Sequence, residues 1–123
     1  MKIHESAEDY LERIYVLKKE KGSVRAIDIA SDMGYSKPTV SVAMKKLRES
    51  GHITVDDDGH IELTEKGLSN AEKTYEKHTI IASLLISLGV DSETAYEDSC
   101  HIEHCLSDES FDAIKAHWLK HSI

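Results

Sequence analysis

The chain has 123 residues, of which 40% are hydrophobic and 31% charged, enough apolar material for one compact domain or two small ones. Its longest mainly apolar run, residues 80–86, is far shorter than the roughly 20 residues that a membrane-crossing helix needs. No apolar segment follows Met1, and two cysteines cannot make a disulfide framework. These features exclude a membrane protein and a disulfide-rich secreted scaffold, and they predict a cytoplasmic protein.

The net charge of −8 is distributed unevenly along the chain. Residues 20–51 carry six basic and four acidic side chains, whereas residues 52–123 carry five basic and fifteen acidic ones. Such segregation is expected where one segment meets a polyanion and the remainder faces away from it. An unevenly charged, solvated surface gives the same count, so charge alone leaves both interpretations open.

Helical periodicity and stop signals predict three helices in the first half of the chain. The first helix begins after Ser6, a predicted N-cap, and ends near Gly22. The second covers residues 26–33. The third covers residues 38–49, because a proline is well accommodated in the first turn of a helix.

The hydrophobic period then changes to two, as in β-strands. Residues 53–55 and 60–63 flank the sequence Asp56-Asp57-Asp58-Gly59, which predicts a β-hairpin with a glycine-containing turn. Three helices followed by a hairpin indicate a winged helix-turn-helix in a mainly α protein. We place this domain at residues 1–70 and a second, helical domain at residues 71–123.

The second domain is predicted to contain a helix from Thr64 to about residue 78, a further apolar helical stretch over residues 80–88, a helix over 93–106 and a last one from Ser107. The apolar stretch forms a face too wide for one small domain, which predicts a homodimer interface. Packing within the monomer is the alternative for part of this face. Its members are Ile80, Ile81, Leu84, Leu85 and Ile86.

In a winged helix-turn-helix, the second helix of the pair enters the major groove of double-stranded DNA. Hydroxyl groups and basic side chains around its first turn suit phosphates or base edges, and Pro38 can contact a thymine methyl group. The acidic hairpin tip predicts a wing that does not press on phosphates. The candidate DNA-binding residues are Arg25, Ser36, Lys37, Pro38, Thr39, Ser41, Lys45 and Lys46.

The segment Cys100-His101-Ile102-Glu103-His104-Cys105 combines thiol, carboxylate and imidazole groups. On a helix, Cys100, Glu103 and His104 fall on one face, and such donors are typical ligands of a divalent transition metal. A small core cysteine beside surface residues is the alternative, and His101 with Cys105 is a rival zinc pair. The spacing is not that of a zinc hydrolase, so no enzyme is predicted.

Further metal donors occur elsewhere in the chain. Asp9 and Glu12 share a face of the first helix, and His78 precedes the apolar stretch. Each of these residues alone is most simply interpreted as an ordinary surface acid or a helix-end histidine. Together with the Cys100 segment they could supply oxygen, nitrogen and sulfur ligands from three helices.

These elements and motifs together resemble those of the diphtheria toxin repressor and manganese transport regulator family, whose members are dimeric, metal-activated bacterial repressors. The resemblance covers about residues 6–119. It is carried by the order of elements and by the segments Glu8 to Tyr15, Ser36 to Ser41, Leu63 to Gly67, His78, Leu88 to Asp91 and Cys100 to His104.

The resemblance implies that the metal ligands fall on Asp9, Glu12, His78, Cys100, Glu103 and His104. Cys100 is the residue type of the iron-responsive branch, whereas Asp9 and Glu12 resemble the manganese branch. The implied cofactor is Fe(II) or Mn(II), with Co(II) and Zn(II) also possible. Ala82 replaces a ligand of the iron branch's ancillary site, so that site is expected to be absent.

The sequence thus predicts a repressor of metal-uptake genes, activated when a divalent metal ties its two halves together. A homodimer would hold its two reading helices about 34–36 Å apart on a palindromic operator. One alternative is a winged-helix regulator that responds to an organic ligand or a partner, without a metal switch. Another is a metal-binding module with no role on DNA.

Overall fold

The computed structural model describes residues 5–121 and divides the chain into two compact units, residues 1–73 and 74–123. The elements in chain order are α1 (Glu5–Lys21), α2 (Ala26–Met33), α3 (Lys37–Glu49), β1 (Ile53–Val55), β2 (Ile61–Leu63), α4 (Glu65–Ser87), α5 (Ser92–Ile102) and α6 (Asp108–His121). This is the predicted mainly α fold with a winged helix-turn-helix. The unit boundary lies inside α4, three residues beyond the position expected from the sequence.

The three helices of the first unit form where their end signals predict, with one exception. Gly34 adopts a left-handed conformation after α2 (φ 72°), and its N–H group bonds to the Ala30 carbonyl. Ser36 caps α3, with its hydroxyl accepting the Thr39 N–H at 3.3 Å. Ser6 was predicted as the cap of α1, but the helix already includes Glu5, so that cap assignment is wrong.

The hairpin alternates its faces as the sequence period predicts. β1 and β2 pair antiparallel with Thr54 opposite Glu62, and this register buries Ile53 and Ile61. The Ile61 N–H also donates to the Val24 carbonyl at 2.7 Å, so the segment before α2 lies along the other edge of β2. Apolar side chains from α1, α2, α3, both strands, the segment before α2 and the start of α4 make a single core: Tyr10, Leu11, Ile14, Leu17, Val24, Ile29, Ala30, Val40, Met44, Leu47, Ile53, Ile61 and Ala71.

The second unit is built from the later part of α4 with α5 and α6. The two helical stretches predicted on either side of residue 79 are one continuous helix, because nothing in that segment interrupts the backbone hydrogen bonds. Asp91 caps α5, and the Ser107 hydroxyl accepts the Ser110 N–H at the start of α6. An ion pair of 3.0 Å between Lys115 and Glu76 links α6 to α4.

Few large apolar side chains are buried in the second unit. Ile81 and Phe111 are 3% exposed, and the smaller Ala82 and Ala95 are completely buried. Of the predicted apolar face, Ile81 belongs to this interior and Ile86 is 40% exposed, while Ile80, Leu84 and Leu85 are partly buried. Leu88, at 72% exposure, extends the apolar surface. In the described part of the chain, no helix combines the length and apolar character needed to span a bilayer.

α4 begins in direct backbone contact with the residue that precedes β1. A Cβ atom at Gly67 would lie 1.9 Å from the carbonyl oxygen of His52. The Thr64 hydroxyl donates to the Gly51 carbonyl at 2.7 Å and accepts the Gly67 N–H at 3.1 Å, which holds the two segments together. The approach therefore requires glycine at position 67 because of space, not because of backbone conformation.

We expect Gly67→Ala to lower the free energy of unfolding by about 1–3 kcal/mol, because the added methyl group meets a backbone atom that cannot rotate away. The clash outweighs the roughly 1 kcal/mol gain in helix propensity. Urea denaturation followed by circular dichroism measures the change. Ser69→Ala, at an exposed position of the same helix, is the control and should be neutral or slightly stabilising. A Gly67→Ala protein as stable as the wild type would contradict the contact.

His52 is 4% exposed, and its Nδ1 atom lies 2.6 Å from the Ser50 hydroxyl. Burial, and then the positive charge of Lys66, lower the pKa of His52 below its usual 6.5. The unfolded chain therefore binds this proton more readily than the folded one, so stability should be complete well above pH 6.5 and fall as the pH drops below it.

Comparing urea midpoints of the wild type and His52→Gln from pH 8 to pH 5 isolates this effect. Titrations of the other groups cancel in the difference. The wild type should lose stability relative to the variant as the pH falls. A difference that stays constant over the range would show that His52 takes up its proton equally in both states.

Candidate metal centre and DNA-binding surface

His78 on α4 and Cys100 on α5 lie side by side in the second unit. The Cys100 Sγ atom is 3.5 Å from His78 Nε2 and 3.8 Å from Nδ1. The His78 side chain is 17% exposed, and Cys100 is partly buried. Two residues that are 22 positions apart in sequence thus present a sulfur and a nitrogen donor to the same space.

Glu103 lies beside two histidines of the second unit, His78 and His104. Its Oε2 atom is 3.9 Å from His78 Nδ1, and its Oε1 atom is 3.5 Å from His104 Nε2. The side chains of Glu103 and His104 are only 1% and 4% exposed. Placing a carboxylate there costs free energy unless cationic or metal partners compensate it.

The helix that positions these groups is shorter than predicted. α5 ends at Ile102, not near residue 106, and Glu103 is its C-cap with helical dihedral angles (φ −58°, ψ −31°). The Glu103 N–H still bonds to the Ser99 carbonyl, so Cys100 and Glu103 keep helical spacing. His104 and Cys105 follow in a turn, where the predicted helical-wheel argument no longer applies.

The four donors of the second unit form a chain of neighbours, from Cys100 to His78 to Glu103 to His104, in which Glu103 uses a different oxygen toward each histidine. Ligand atoms 2.0–2.3 Å from a tetrahedral ion lie about 3.3–3.8 Å from one another. The distances from Cys100 to His78 and from Glu103 to the two histidines are 3.5–3.9 Å. One sulfur, two nitrogens and one carboxylate oxygen form a mixed set that suits Fe²⁺, Co²⁺ or Zn²⁺ and, through the carboxylate, Mn²⁺.

The two predicted acidic ligands belong to α1 in the first unit. Asp9 is partly buried, and Glu12 is only 7% exposed, which is unusual for a carboxylate. Their spacing of three places both on one side of α1. The other sides of this helix contribute to the core and, through Arg13, to an ion pair of 3.0 Å with Asp32 on α2.

Two other groupings have simpler explanations. His101 and Cys105, the rival zinc pair, are both exposed, and the end of α5 at Ile102 removes their helical relationship. At the hairpin tip, Asp56, Asp58 and His60 offer ligand atoms within 4.8 Å of one another. There, however, the Asp56 carboxylate accepts the backbone N–H groups of His60 and Asp58, which lower its pKa and close the turn.

Tyr96 was missed as part of this centre. Its ring lies edge-to-face with that of His78, with 5.6 Å between centroids, and limits the orientations of the imidazole. Tyr96 precedes Cys100 by four residues, so helical spacing could have indicated that both face α4.

All eight candidate DNA-binding residues are exposed, six of them on α3. The Ser36 hydroxyl is engaged as the helix cap and lies 2.8 Å from the Thr39 hydroxyl, so these two side chains shape the start of α3. Arg25 precedes α2, and its N–H bonds to the Asp28 carboxylate. Val42, next to Ser41, is 55% exposed and adds an apolar surface to α3 that was not predicted from the sequence.

Comparison with known proteins gives the same two-part organisation. The family model "Iron dependent repressor, N-terminal DNA binding domain" matches residues 2–61, and "Iron dependent repressor, metal binding and dimerisation domain" matches residues 64–120. These descriptions support the predicted metal-dependent regulator, and nothing in them supports regulation without a metal.

Individual relatives of the chain are regulators as well. An uncharacterised HTH-type transcriptional regulator of Methanocaldococcus jannaschii is 38% identical over 90% of both chains. The transcriptional regulator MntR of Escherichia coli is 36% identical over 95% of this chain and 76% of its own length. The solved structure of the manganese regulator SloR superposes with a TM-score of 0.80 at 30% identity, covering 90% of this chain but only 52% of SloR.

The resemblance inferred from the motifs is therefore confirmed, and the relatives named here are transcriptional regulators, not enzymes. The chain belongs to the iron-dependent repressor family of metal-dependent, DNA-binding transcriptional regulators.

Proposed function

We propose that this protein is a cytoplasmic, homodimeric repressor of metal-uptake genes that binds its operator when loaded with Fe(II) or Mn(II). The observation that carries the proposal is the grouping of His78, Cys100, Glu103 and His104 within 3.5–3.9 Å contacts in the second unit of a regulator of this family. Co(II) and Zn(II) are the further ions that this donor set accepts.

The proposed ligand set also includes the two carboxylates of α1. Asp9 and Glu12 are the acids at the expected spacing, and the low exposure of Glu12 is consistent with a role other than solvation. Oxygen ligands favour Mn²⁺ or Fe²⁺, whereas the Cys100 thiolate shifts the preference toward Fe²⁺, Co²⁺ or Zn²⁺. The relative SloR is a manganese regulator, which favours manganese, whereas Cys100 is the residue type of the iron-responsive branch.

Ion binding then acts by selecting among conformations. A bound cation supplies positive charge that offsets the repulsion among three carboxylates and a thiolate. Because the proposed ligands come from both units, the loaded protein favours the subset of conformations that suits DNA. A coupling of about 1–3 kcal/mol corresponds to a change in operator affinity of about 5–150-fold.

A homodimer is supported by the apolar surface of the second unit. A unit with so few large buried side chains leaves Ile86, Leu88 and Leu119 between 40% and 72% exposed, and a second copy can cover such a surface. Two-fold symmetry would place two copies of α3 in successive major grooves, which matches a palindromic operator.

The exposed face of α3 is proposed to contact the operator. Lys37, Lys45 and Lys46 supply phosphate contacts, while Pro38, Ser41 and Val42 are placed to meet base edges or thymine methyl groups. Arg25 adds positive charge beside the hairpin, because its backbone forms an isolated β-bridge with the backbone of His60. The ionised Asp56 and its neighbours keep the hairpin tip away from phosphates.

The metal dependence can be measured on a DNA duplex selected from a random pool with the Mn²⁺-loaded protein. We expect EDTA to weaken binding by about 5–150-fold, and anaerobic titration with Mn²⁺, Fe²⁺, Co²⁺ and Zn²⁺ to restore it to different extents. Cys100→Ser and Glu103→Gln should each raise the metal concentration that restores half of the binding.

Matched controls lie next to the proposed ligands. Cys105→Ser changes an exposed thiol, and Glu8→Gln changes an acid on α1 outside the proposed ligand set, so both should behave as the wild type. Glu12→Gln, in contrast, should raise the metal concentration that restores half of the DNA binding. DNA affinity that is indifferent to EDTA would refute the metal switch, and equal effects of Cys100→Ser and Cys105→Ser would refute the ligand assignment.

The DNA-binding surface is tested by salt dependence. We expect Lys45→Ala to weaken binding to all duplexes similarly and to reduce the slope of log K against log [salt] by about 0.9, the value for one lost phosphate contact. Lys120→Ala removes the same charge from α6 and should leave the slope unchanged. Identical slopes for the wild type and Lys45→Ala would exclude a phosphate contact at this residue.

A further inference from the structure

The last turns of α6 carry a pair of histidines that the proposed function does not use. His117 and His121 are four residues apart, and their ring centroids are 4.3 Å apart with an angle of 44° between the ring planes. Both are exposed, whereas Phe111 is buried and Ile114 and Trp118 are partly buried on a neighbouring face of the helix. The two imidazoles therefore stand together at the surface.

The separation of the rings is that of two ligands on one ion. An ion about 2.1 Å from a ring nitrogen lies about 3.2 Å from the ring centroid. Two imidazoles in neighbouring coordination positions, at about a right angle, then have centroids about 4.6 Å apart. The observed 4.3 Å is close to this value, so metal binding needs rotation of side chains and no change in the helix.

We propose that His117 and His121 form a second metal site, which takes Cu²⁺, Ni²⁺ or Zn²⁺ through two imidazole nitrogens and completes its coordination with water. Imidazole suits these later first-row ions, and the pair itself includes no carboxylate or thiolate, the ligands that favour Mn²⁺ or retain Fe²⁺. Its selectivity thus differs from that of the centre around Glu103. Affinity should follow the order Cu²⁺ above Ni²⁺ and Zn²⁺.

The chain contains its own reporter for this site. Trp118 is the only tryptophan and follows His117 directly, so Cu²⁺ bound to the pair should quench its fluorescence. The experiment titrates Cu²⁺ into the full-length wild type, His117→Asn, His121→Asn and a double variant with His121→Leu and Leu119→His. This last protein keeps the number of histidines but places them two apart, on opposite sides of α6.

Leu119 is 63% exposed, so the exchange leaves the interior of the second unit unchanged. Because Leu119 also belongs to the apolar surface proposed for the homodimer, size-exclusion chromatography verifies that the double variant keeps the oligomeric state of the wild type. We expect saturable quenching of the wild type by Cu²⁺ at an apparent Kd about tenfold or more below that of the other three proteins, because the second imidazole binds intramolecularly. Cys100 and the other proposed ligands are present in all four proteins, so their contribution cancels. Far-ultraviolet circular dichroism verifies that each variant is folded.

Quenching of the double variant at the same Cu²⁺ concentration as the wild type would overturn the proposal, because it would place the ion elsewhere. Equal quenching in either single variant would do the same. Excess Mn²⁺ should leave the Cu²⁺ titration of the pair unchanged, and competition by Mn²⁺ would likewise contradict the assigned selectivity. None of these results bears on the Mn²⁺ or Fe²⁺ dependence of DNA binding, so the two proposals stand or fall separately.

Discussion

The proposed metal centre depends on one buried carboxylate. Glu103 is 3% exposed in a unit that offers it two imidazoles and, through His78, a neighbouring thiol. A negative charge at such a place is costly, and a cation shared with its neighbours is the efficient compensation. The arrangement exists because α5 keeps helical geometry for one residue beyond its last regular turn. A cap of another conformation at Glu103 would turn the carboxylate away from His78.

The two units differ in the kind of side chains that they bury. The first surrounds a continuous apolar core with three helices and a hairpin, and it leaves the hydroxyl and basic side chains of α3 in solvent. The second buries few large side chains and concentrates polar groups between α4 and α5. A unit of that kind gains stability from binding: an ion or a second copy of the chain lowers the free energy of the folded state by mass action.

Local patterns were sufficient to predict most elements but not their three-dimensional relationships. The glycine at position 34 correctly predicted the end of α2, and the period-two pattern correctly predicted the two strands, since these signals act within a few residues. The continuity of α4 was missed, because no local residue decides whether two apolar helical segments join. Ser36 was assigned only to DNA, although its position before Pro38 also fits an N-cap. His78 could be suggested as a co-ligand of Cys100 from its residue type, but their contact could not be predicted locally, since contacts across 22 residues follow from tertiary packing.

The acidic hairpin tip has a consequence for how the protein meets DNA. Asp56, Asp57 and Asp58 are exposed, while lysines of the same unit line α3. A molecule with such an internal charge separation experiences a torque in the field of a polyanion. Approaches that lead with the hairpin are repelled before contact, and those that lead with α3 are drawn in. The hairpin charge therefore biases which face of the first unit meets the duplex during diffusion, ahead of any reading of base edges.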